Sequence, residues 1–499
     1  MKPLKTLFLN PPSFENFDGG ASSRWPASRE IESYWYPVWL AYAAGMIEGS
    51  RLLDAPPHHV SAQETINISK DYEMVVLFTS TPGFPGDIRI VTKMKEVNPT
   101  LKVAFVGPHV TTLPERSLRE CAAIDFVARK EFDYQIVEYA HGKPLAEITG
   151  VTYRGPDGEI LSTPDRPQIA DLDALAHVTD VYHRDLDIMK YNVPFLLYPF
   201  VALYTTRGCP AQCTFCLWPQ TIGGHPWRKR STDDVAAEMK KAKELWPHVK
   251  EFFFDDDTFN IQKARTIELC SKLKPLGLTW SCTSRVTTDY DTLKAMKEAG
   301  CRLMIVGYES GDEQILKNIK KGATVERAIQ FTKDAHKLGL IVHGDFIIGL
   351  PGETPQTIRK TIDFAKQLDV ETIQVSLAHA YPGTELYDYA KENGFIINDA
   401  AMLDEAGHQL AQIGYPEISR DDMLEAVHAF YDEYYFRPKA IYRIVRRAIF
   451  NNTDRKRLYK EAVSFMKLRA KRNKSVRTHR AEPASPSAAG SDNPAQAEA

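Results

Sequence analysis

The chain has 499 residues, too many for one hydrophobic core, so two or three domains are expected. Its apolar and charged fractions, 43% and 25%, and its net charge of −3 are those of a soluble globular protein. No apolar run approaches the roughly 18 residues needed to cross a bilayer, and seven cysteines, an odd number, exclude a simple disulfide framework. The start, "MKPLKTLFLNPPSF", reads as a first buried strand rather than a signal peptide, so the cytoplasm is the expected location. Over the first 140 residues, short apolar runs ("KTLFLN", "YEMVVLFTS", "KVAFVG", "AIDFVAR") alternate with helical patterns such as "YPVWLAYAAGMIEG". This is the βαβ rhythm of a doubly wound, Rossmann-like parallel sheet. Glycines, prolines and hydroxyls gather at its strand ends, in Asn10-Pro11-Pro12-Ser13, Ser80-Thr81-Pro82-Gly83 and Gly107-Pro108-His109-Val110-Thr111. The long stretch from Ser13 to Trp35 lacks periodicity and is expected to be a functional loop. A hairpin follows in "GVTYRGPDGEILSTP".

From about Phe200 the rhythm restarts, with strands at "FVALYTT", "VKEFFFD", "LTWSCTS", "CRLMIVGY", "LIVHGDFIIG" and "ETIQVSLAHA" separated by helices. Six βα units make an open, partial barrel. The expected organisation is α/β: a Rossmann-like domain over 1–145, hairpin and linker over 146–195, a partial (βα)6 barrel over 196–385, a helical basic region over 386–475 and a disordered tail over 476–499. Three cysteines at CxxxCxxC spacing, Cys209, Cys213 and Cys216 in "TTRGCPAQCTFCLWPQ", fall directly after the first barrel strand, where barrel chemistry is carried out. A structural zinc wants four closed ligands, and His225 is the one residue at hand to complete the set. A four-iron cube held by three thiolates instead leaves one iron open to an exogenous ligand.

This pattern resembles the radical S-adenosylmethionine (radical SAM) superfamily. The resemblance implies that Cys209, Cys213 and Cys216 hold a 4Fe-4S cluster whose open iron is chelated by SAM. Reduction by an external electron donor then splits SAM to methionine and a 5'-deoxyadenosyl radical that abstracts a substrate hydrogen. Phe215 matches the family's aromatic beside the third cysteine. Further signatures follow in order at the strand ends: Asp255-Asp256-Asp257-Thr258-Phe259, then Ser284-Arg285, Glu309 in "GYESG", Gly349 in "GLPGET", and "YPGTEL". By resemblance Phe215, Asp256, Asp257, Ser284, Arg285, Glu309 and Gly349 are the SAM contacts, with Arg285 suited to the carboxylate. One of the three aspartates is as readily a helix N-cap.

The N-terminal domain resembles that of cobalamin-binding radical SAM proteins, which implies a cobalamin held by loops around Pro12, Ser80, Thr81 and His109. No Asp-x-His-x-x-Gly sequence supplies an axial histidine. Gly107-Pro108 and Arg129-Lys130-Glu131-Phe132 depart from the Gly-Gly and Gly-Glu-Gly-Glu of many relatives, so a domain that only supports the barrel stays open as the alternative. Methylthiotransferases need three more cysteines in this domain, where only Cys121 lies.

From 437 to 480, sixteen Lys and Arg face only Asp454 and Glu461. In "KAIYRIVRRAIF", Ile441, Ile444, Val445, Ala448 and Ile449 share one helical face, and Lys439, Arg443, Arg446 and Arg447 the other. Such a helix suits an anionic membrane surface, peripheral on its inner face; nucleic acid is not expected, and a solvated helix is the plain alternative. Over about residues 1–475 the chain resembles a narrower family, the hopanoid-biosynthesis radical SAM enzymes that make a cyclitol ether head group. That resemblance implies a glycosylated hopanoid substrate and contraction of its glucosamine ring. The alternative is a cobalamin-dependent methyltransferase acting on an isoprenoid or lipid; a non-catalytic iron-sulfur sensor is the reading from another class. Tyr204, Cys282, Tyr308, His343, His379 and Tyr381, on or just past barrel strands, are candidates to face substrate, with packing as the alternative for each.

Overall fold

A computed structural model of the chain describes residues 2–14, 33–397 and 411–450, together with 463 and 466. Most of the long loop before Trp35 and the tail expected over 476–499 lie outside the described residues. The chain divides into two units, 1–440 and 441–499. In the first unit the strands are β1 (Thr6–Asn10), β2 (Arg51–Asp54), β3 (Met74–Phe78), β4 (Lys102–Val106), β5 (Phe126–Ala128), β6 (Val151–Arg154) and β7 (Ile160–Ser162), forming one sheet in the order β2-β1-β3-β4-β5-β6-β7. The first five run parallel, and β6 and β7 extend the sheet antiparallel to β5. The hairpin expected as part of a linker therefore belongs to the first sheet. The short strand β2, "RLLD", carries too few apolar residues to register in the sequence pattern, yet its last three are buried.

The central strands are apolar on both faces because both are covered, as in parallel sheets generally. The helix Val38–Gly45 shows the same logic: Val38 to Ala44 are all buried, since it lies between this sheet and the barrel. Strand β8 (Phe200–Leu203) opens the second sheet, followed by the two-residue strands β9 (Thr206–Arg207) and β10 (Arg228–Lys229), which pair with each other. The sheet continues with β11 (Glu251–Phe254), β12 (Trp280–Ser284), β13 (Cys301–Glu309), β14 (Ile341–Ile348) and β15 (Thr372–Leu377), all parallel in the order β15-β14-β13-β12-β11-β8. This is the expected six-stranded partial barrel. Helices between its strands start where the sequence provides caps, as at Ser231, Asp289 and Thr354, the last with Pro355 at the first helical position.

One apolar core runs from the barrel into the facing side of the first sheet, and a second covers that sheet's other face. Among the described residues no helix is long and apolar enough to cross a membrane.

Candidate active site

The cysteine loop is built by a clamp. After β8 the chain turns through Thr205 and Thr206, whose backbone N–H groups donate to Asp256 Oδ1 at 2.7 and 2.5 Å. Both threonine hydroxyls add bonds of 2.9 Å to the same carboxylate. Asp256 is fully buried, and burial pushes its carboxyl up against the pull of Arg265 and these donors. It is thus saturated by the chain itself and turned away from the expected SAM contact, while Asp255 lines a cleft at the barrel mouth and Asp257 acts on the thiols. Gly208, immediately before the first cysteine, has φ +85°, and a Cβ there would lie 2.3 Å from the Pro226 carbonyl, so glycine is required for the turn. Gln220 Nε2 then donates to the carbonyls of Cys213, Thr214 and Cys216, at 3.3, 3.2 and 2.7 Å, and holds the loop in shape.

Cys209 and Cys213 are buried and Cys216 is partly exposed. Desolvation, then Asp257 and the other two thiols, pushes the Cys216 thiol up, so the three sulfurs and this carboxylate share one space. Among the described residues no group of three or more Cys, His, Asp or Glu closes on a single metal ion. His225 turns its Nδ1 to the Cys209 carbonyl at 3.2 Å. Three thiols on one loop, close enough to act on one another, suit a cube bound through separate irons.

Beside them lies a charged cluster. Glu309 has φ +64°, and its Oε1 accepts from Lys321 Nζ at 2.6 Å; both residues are buried. Gly307 makes room, since a Cβ there would meet Glu309 Oε1 at 2.3 Å and Lys321 Nζ at 2.9 Å. Burial disfavours the Lys321 charge, but Glu309 and Cys213 outweigh it and push the ammonium up. Arg285 Nη2 donates to the Lys321 carbonyl, and its cation acts on both Glu309 and Cys209. Arg285 and Lys321 are cations fit for a carboxylate, and Glu309 is an anion fit for ammonium or ribose hydroxyls, so the donor set suits SAM. Lys321 escaped the sequence reading: a lysine in "NIKKGA" carries no local sign of burial.

The other expected site residues have these partners. Ser284 Oγ accepts from Asn260 Nδ2 at 2.7 Å, while Arg285 turns to the Lys321 carbonyl. At Gly349 the N–H donates to Glu353 at 3.2 Å and the carbonyl accepts from Tyr415 at 2.9 Å. Cys282 packs against Cys301 and Cys270 of the helix Lys263–Leu273, and Tyr308 bonds Thr332 on the helix Val325–Lys337 at 2.6 Å, so neither faces the barrel interior. Phe215 packs half-buried on the core. His343 does face inward, stacked on Phe195 with centroids 4.1 Å apart and bonded to Thr372 at 2.7 Å, with Asp345 at 3.3 Å. Tyr204 packs edge-on to Trp39, and His379, held neutral by burial at about 4, lies beside Tyr381.

The first sheet turns its strand ends toward this loop. A narrow cleft is lined by Asn10 and Phe78 from β1 and β3, by Trp39, and by Tyr204, Trp218 and Asp255 from the barrel. The helix Pro108–Thr112 packs on the helix Leu217–Thr221 that follows the cysteines. Pro12 is buried, Ser80 Oγ accepts from the Gly83 N–H at 3.3 Å, and Thr81 is half-buried. His109 stacks on Phe84 at 4.2 Å with both ring nitrogens buried and unpartnered, and burial lowers it to about 4, so it is neutral. Such an orphaned imidazole is what an outside amide or hydroxyl would complete, so this edge suits cobalamin. The departing segment has another role. Arg129 bonds the carbonyls of Val151 and Thr163 and the Asp165 carboxylate, Glu131 pairs with Arg228 at 2.7 Å, and Asp133 with Arg207 at 2.7 and 3.0 Å. Arg207 also lies over Trp39 and Tyr42, 4.4 and 4.7 Å from their centroids.

Residues 203–365 match the radical SAM superfamily and residues 25–140 the B12 binding domain. An uncharacterized methyltransferase of Pyrococcus horikoshii is 33% identical over 409 residues, 80% of this chain and 85% of that one. The hopanoid C-2 methylase of Rhodopseudomonas palustris is 26% identical over 311 residues, 60% of this chain and 54% of that one. In fold, the chain is similar to the radical SAM methyltransferase TsrM from Kitasatospora setae, solved with cobalamin and a [4Fe-4S] cluster: TM-score 0.62 at 15% identity, covering 89% of this chain and 90% of that one. With thiols, charged cluster and facing sheet on one unit, this chain belongs to the radical SAM enzymes, in the branch that carries a B12-binding domain ahead of the barrel.

Proposed function

We propose that the protein is a cobalamin-dependent radical SAM methyltransferase acting on an isoprenoid or lipid. The observation that carries this reading is the narrow cleft lined from one side by Asn10 and Phe78 of the B12-binding domain and from the other by Tyr204, Trp218 and Asp255 of the barrel. Relatives named as a methyltransferase and a hopanoid methylase support methyl transfer and a lipid class. When bound, the cluster and SAM supply a radical able to break an unactivated C–H bond, and cobalamin supplies a methyl carrier. The chain's part is to hold and shield. Cys209, Cys213 and Cys216 would anchor the cluster, Arg285 and Lys321 would take the SAM carboxylate, and the edge at Pro12, Ser80, Thr81 and His109 would face the corrinoid. Trp39, Phe78, Tyr204 and Trp218 keep water from the cleft, as a reactive carbon centre requires.

A second reading is contraction of the glucosamine head group of a glycosylated bacteriohopanetetrol into a cyclitol ether. One observation favours it: His343, Thr372 and Asp345 form a polar patch on the barrel wall, suited to hydroxyls rather than to a hydrocarbon. Anaerobic reconstitution with iron, sulfide and hydroxocobalamin, then SAM, a strong reductant and glucosaminyl-bacteriohopanetetrol, separates the two by mass spectrometry. S-adenosylhomocysteine with a methylated lipid supports methyl transfer. A changed head group without an added methyl, with 5'-deoxyadenosine formed, overturns it in favour of ring contraction.

A further inference from the structure

The helix Pro438–Phe450 turns an apolar stripe to solvent. Ile441, Val445 and Ile449, spaced one turn apart, are 44%, 48% and 63% exposed, and Tyr442 beside them 67%. An isolated exposed isoleucine is ordinary, but three on one face of one helix are not accounted for by folding alone. Across the helix, Arg446 is exposed and Arg443 half-buried, while Lys439 is tied to Asp369 at 2.6 Å. The charge does not end with the helix: from 451 to 480 the sequence adds eleven Lys and Arg against two acids.

Apolar stripe and charge together select the partner. A hydrophobic groove on another protein would use the stripe but has no need of so large a one-sign excess. A nucleic acid would use the charge but not a row of exposed isoleucine and valine. An anionic bilayer surface uses both, the stripe at the acyl boundary and the cations among the headgroups. We propose that the helix Pro438–Phe450 docks on an anionic lipid surface, with Ile441, Val445 and Ile449 as the inserted residues. Nothing in this rests on which reaction the barrel performs.

The test uses the full chain and sedimentation with vesicles of phosphatidylcholine and phosphatidylglycerol, against pure phosphatidylcholine vesicles and a single-stranded polyuridylate. The expected results are binding to the anionic vesicles at least about tenfold tighter than to the neutral ones, weakening with added salt, and a further loss of about tenfold or more in I441S/V445S/I449S. Because these side chains are exposed, the variant keeps the fold, which far-ultraviolet circular dichroism checks. Anionic-vesicle binding by the triple variant equal to wild type overturns the proposal, as does equal binding to both vesicle types. So does tighter binding to the polyuridylate than to the vesicles.

Discussion

The ion pair between Asp133 and Arg207 joins the first sheet's last parallel strand region to the residue two positions before Cys209, and removing it should loosen the cysteine loop. Both side chains are dry, at 0% and 2% exposure, and the contact is bidentate. Breaking such a pair by deleting one partner costs about 3–5 kcal/mol, because the remaining charge is stranded. The two deletions should be unequal. In D133N the guanidinium keeps Glu131 at 3.8 Å and the faces of Trp39 and Tyr42. In R207M the Asp133 carboxylate meets no second cation within ion-pair distance among the described residues. R207M should therefore cost more than D133N, and the double variant should show a coupling of about 2–3 kcal/mol. A chain of several domains does not unfold in one step, so the readout is native-state amide exchange of the cluster-free protein over 205–216 and 133–140. With 1.4 kcal/mol per factor of ten, exchange in R207M should accelerate by about 100-fold or more. A coupling under about 0.5 kcal/mol, or D133N costing more than R207M, would refute the strap.

Cys213→Ala should keep the circular dichroism of the wild type and lose the four-iron absorbance and all SAM cleavage; retained cleavage would remove Cys213 from the cluster set. K321M should weaken SAM binding about tenfold or more, measured by equilibrium dialysis on the reconstituted, unreduced protein, and K321R should restore most of it; equal affinities in all three would reduce Lys321 to a packing residue. Asp87, buried against Thr79 at 2.6 Å, has its carboxyl pushed up to about 8 by desolvation. The unfolded chain releases this proton first, near pH 3.9, so the contribution to stability is complete below about pH 4 and is lost as pH rises through 8. Native-state amide exchange of β3 and its neighbours should thus accelerate, beyond the intrinsic pH dependence of exchange, between pH 5 and 8 in the wild type and less so in D87N, with identical pH dependence counting against the assignment. Gly208→Ala should cost cluster loading without a change in fold, because the Cβ meets the fixed Pro226 carbonyl rather than a movable side chain.

The barrel was legible because each strand ends on a short motif with its own chemistry, and six in order leave little freedom. Which member of an adjacent pair faces the site was not legible. Asp256 and Asp257 lie just past the end of β11, and Arg285 just past the end of β12, where the chain has left the ladder and no fixed alternation says which side chain turns to the site. The hydrogen bonds decide it: Asp256 is consumed by Thr205 and Thr206, and Ser284 by Asn260, which leaves Asp257 and Arg285 for the thiol side. A motif read as a string assigns both members of a pair; the hydrogen bonds separate them.

What remained invisible was carried by pairs far apart in sequence. Asp133 and Arg207 are 74 positions apart, Glu131 and Arg228 97, and neither member is marked by its neighbours. The segment Arg129-Lys130-Glu131-Phe132 stood out only as a departure from a glycine-rich pattern. Its structure gives the physical reason for the exchange. Glycines at a strand end let backbone approach a ligand, whereas Arg129 bonds β6 and the chain after β7, and Glu131 reaches Arg228 across to the barrel. The same positions can bind through backbone or brace through side chains, and this chain uses them to fix the first sheet against the loop that holds its cysteines.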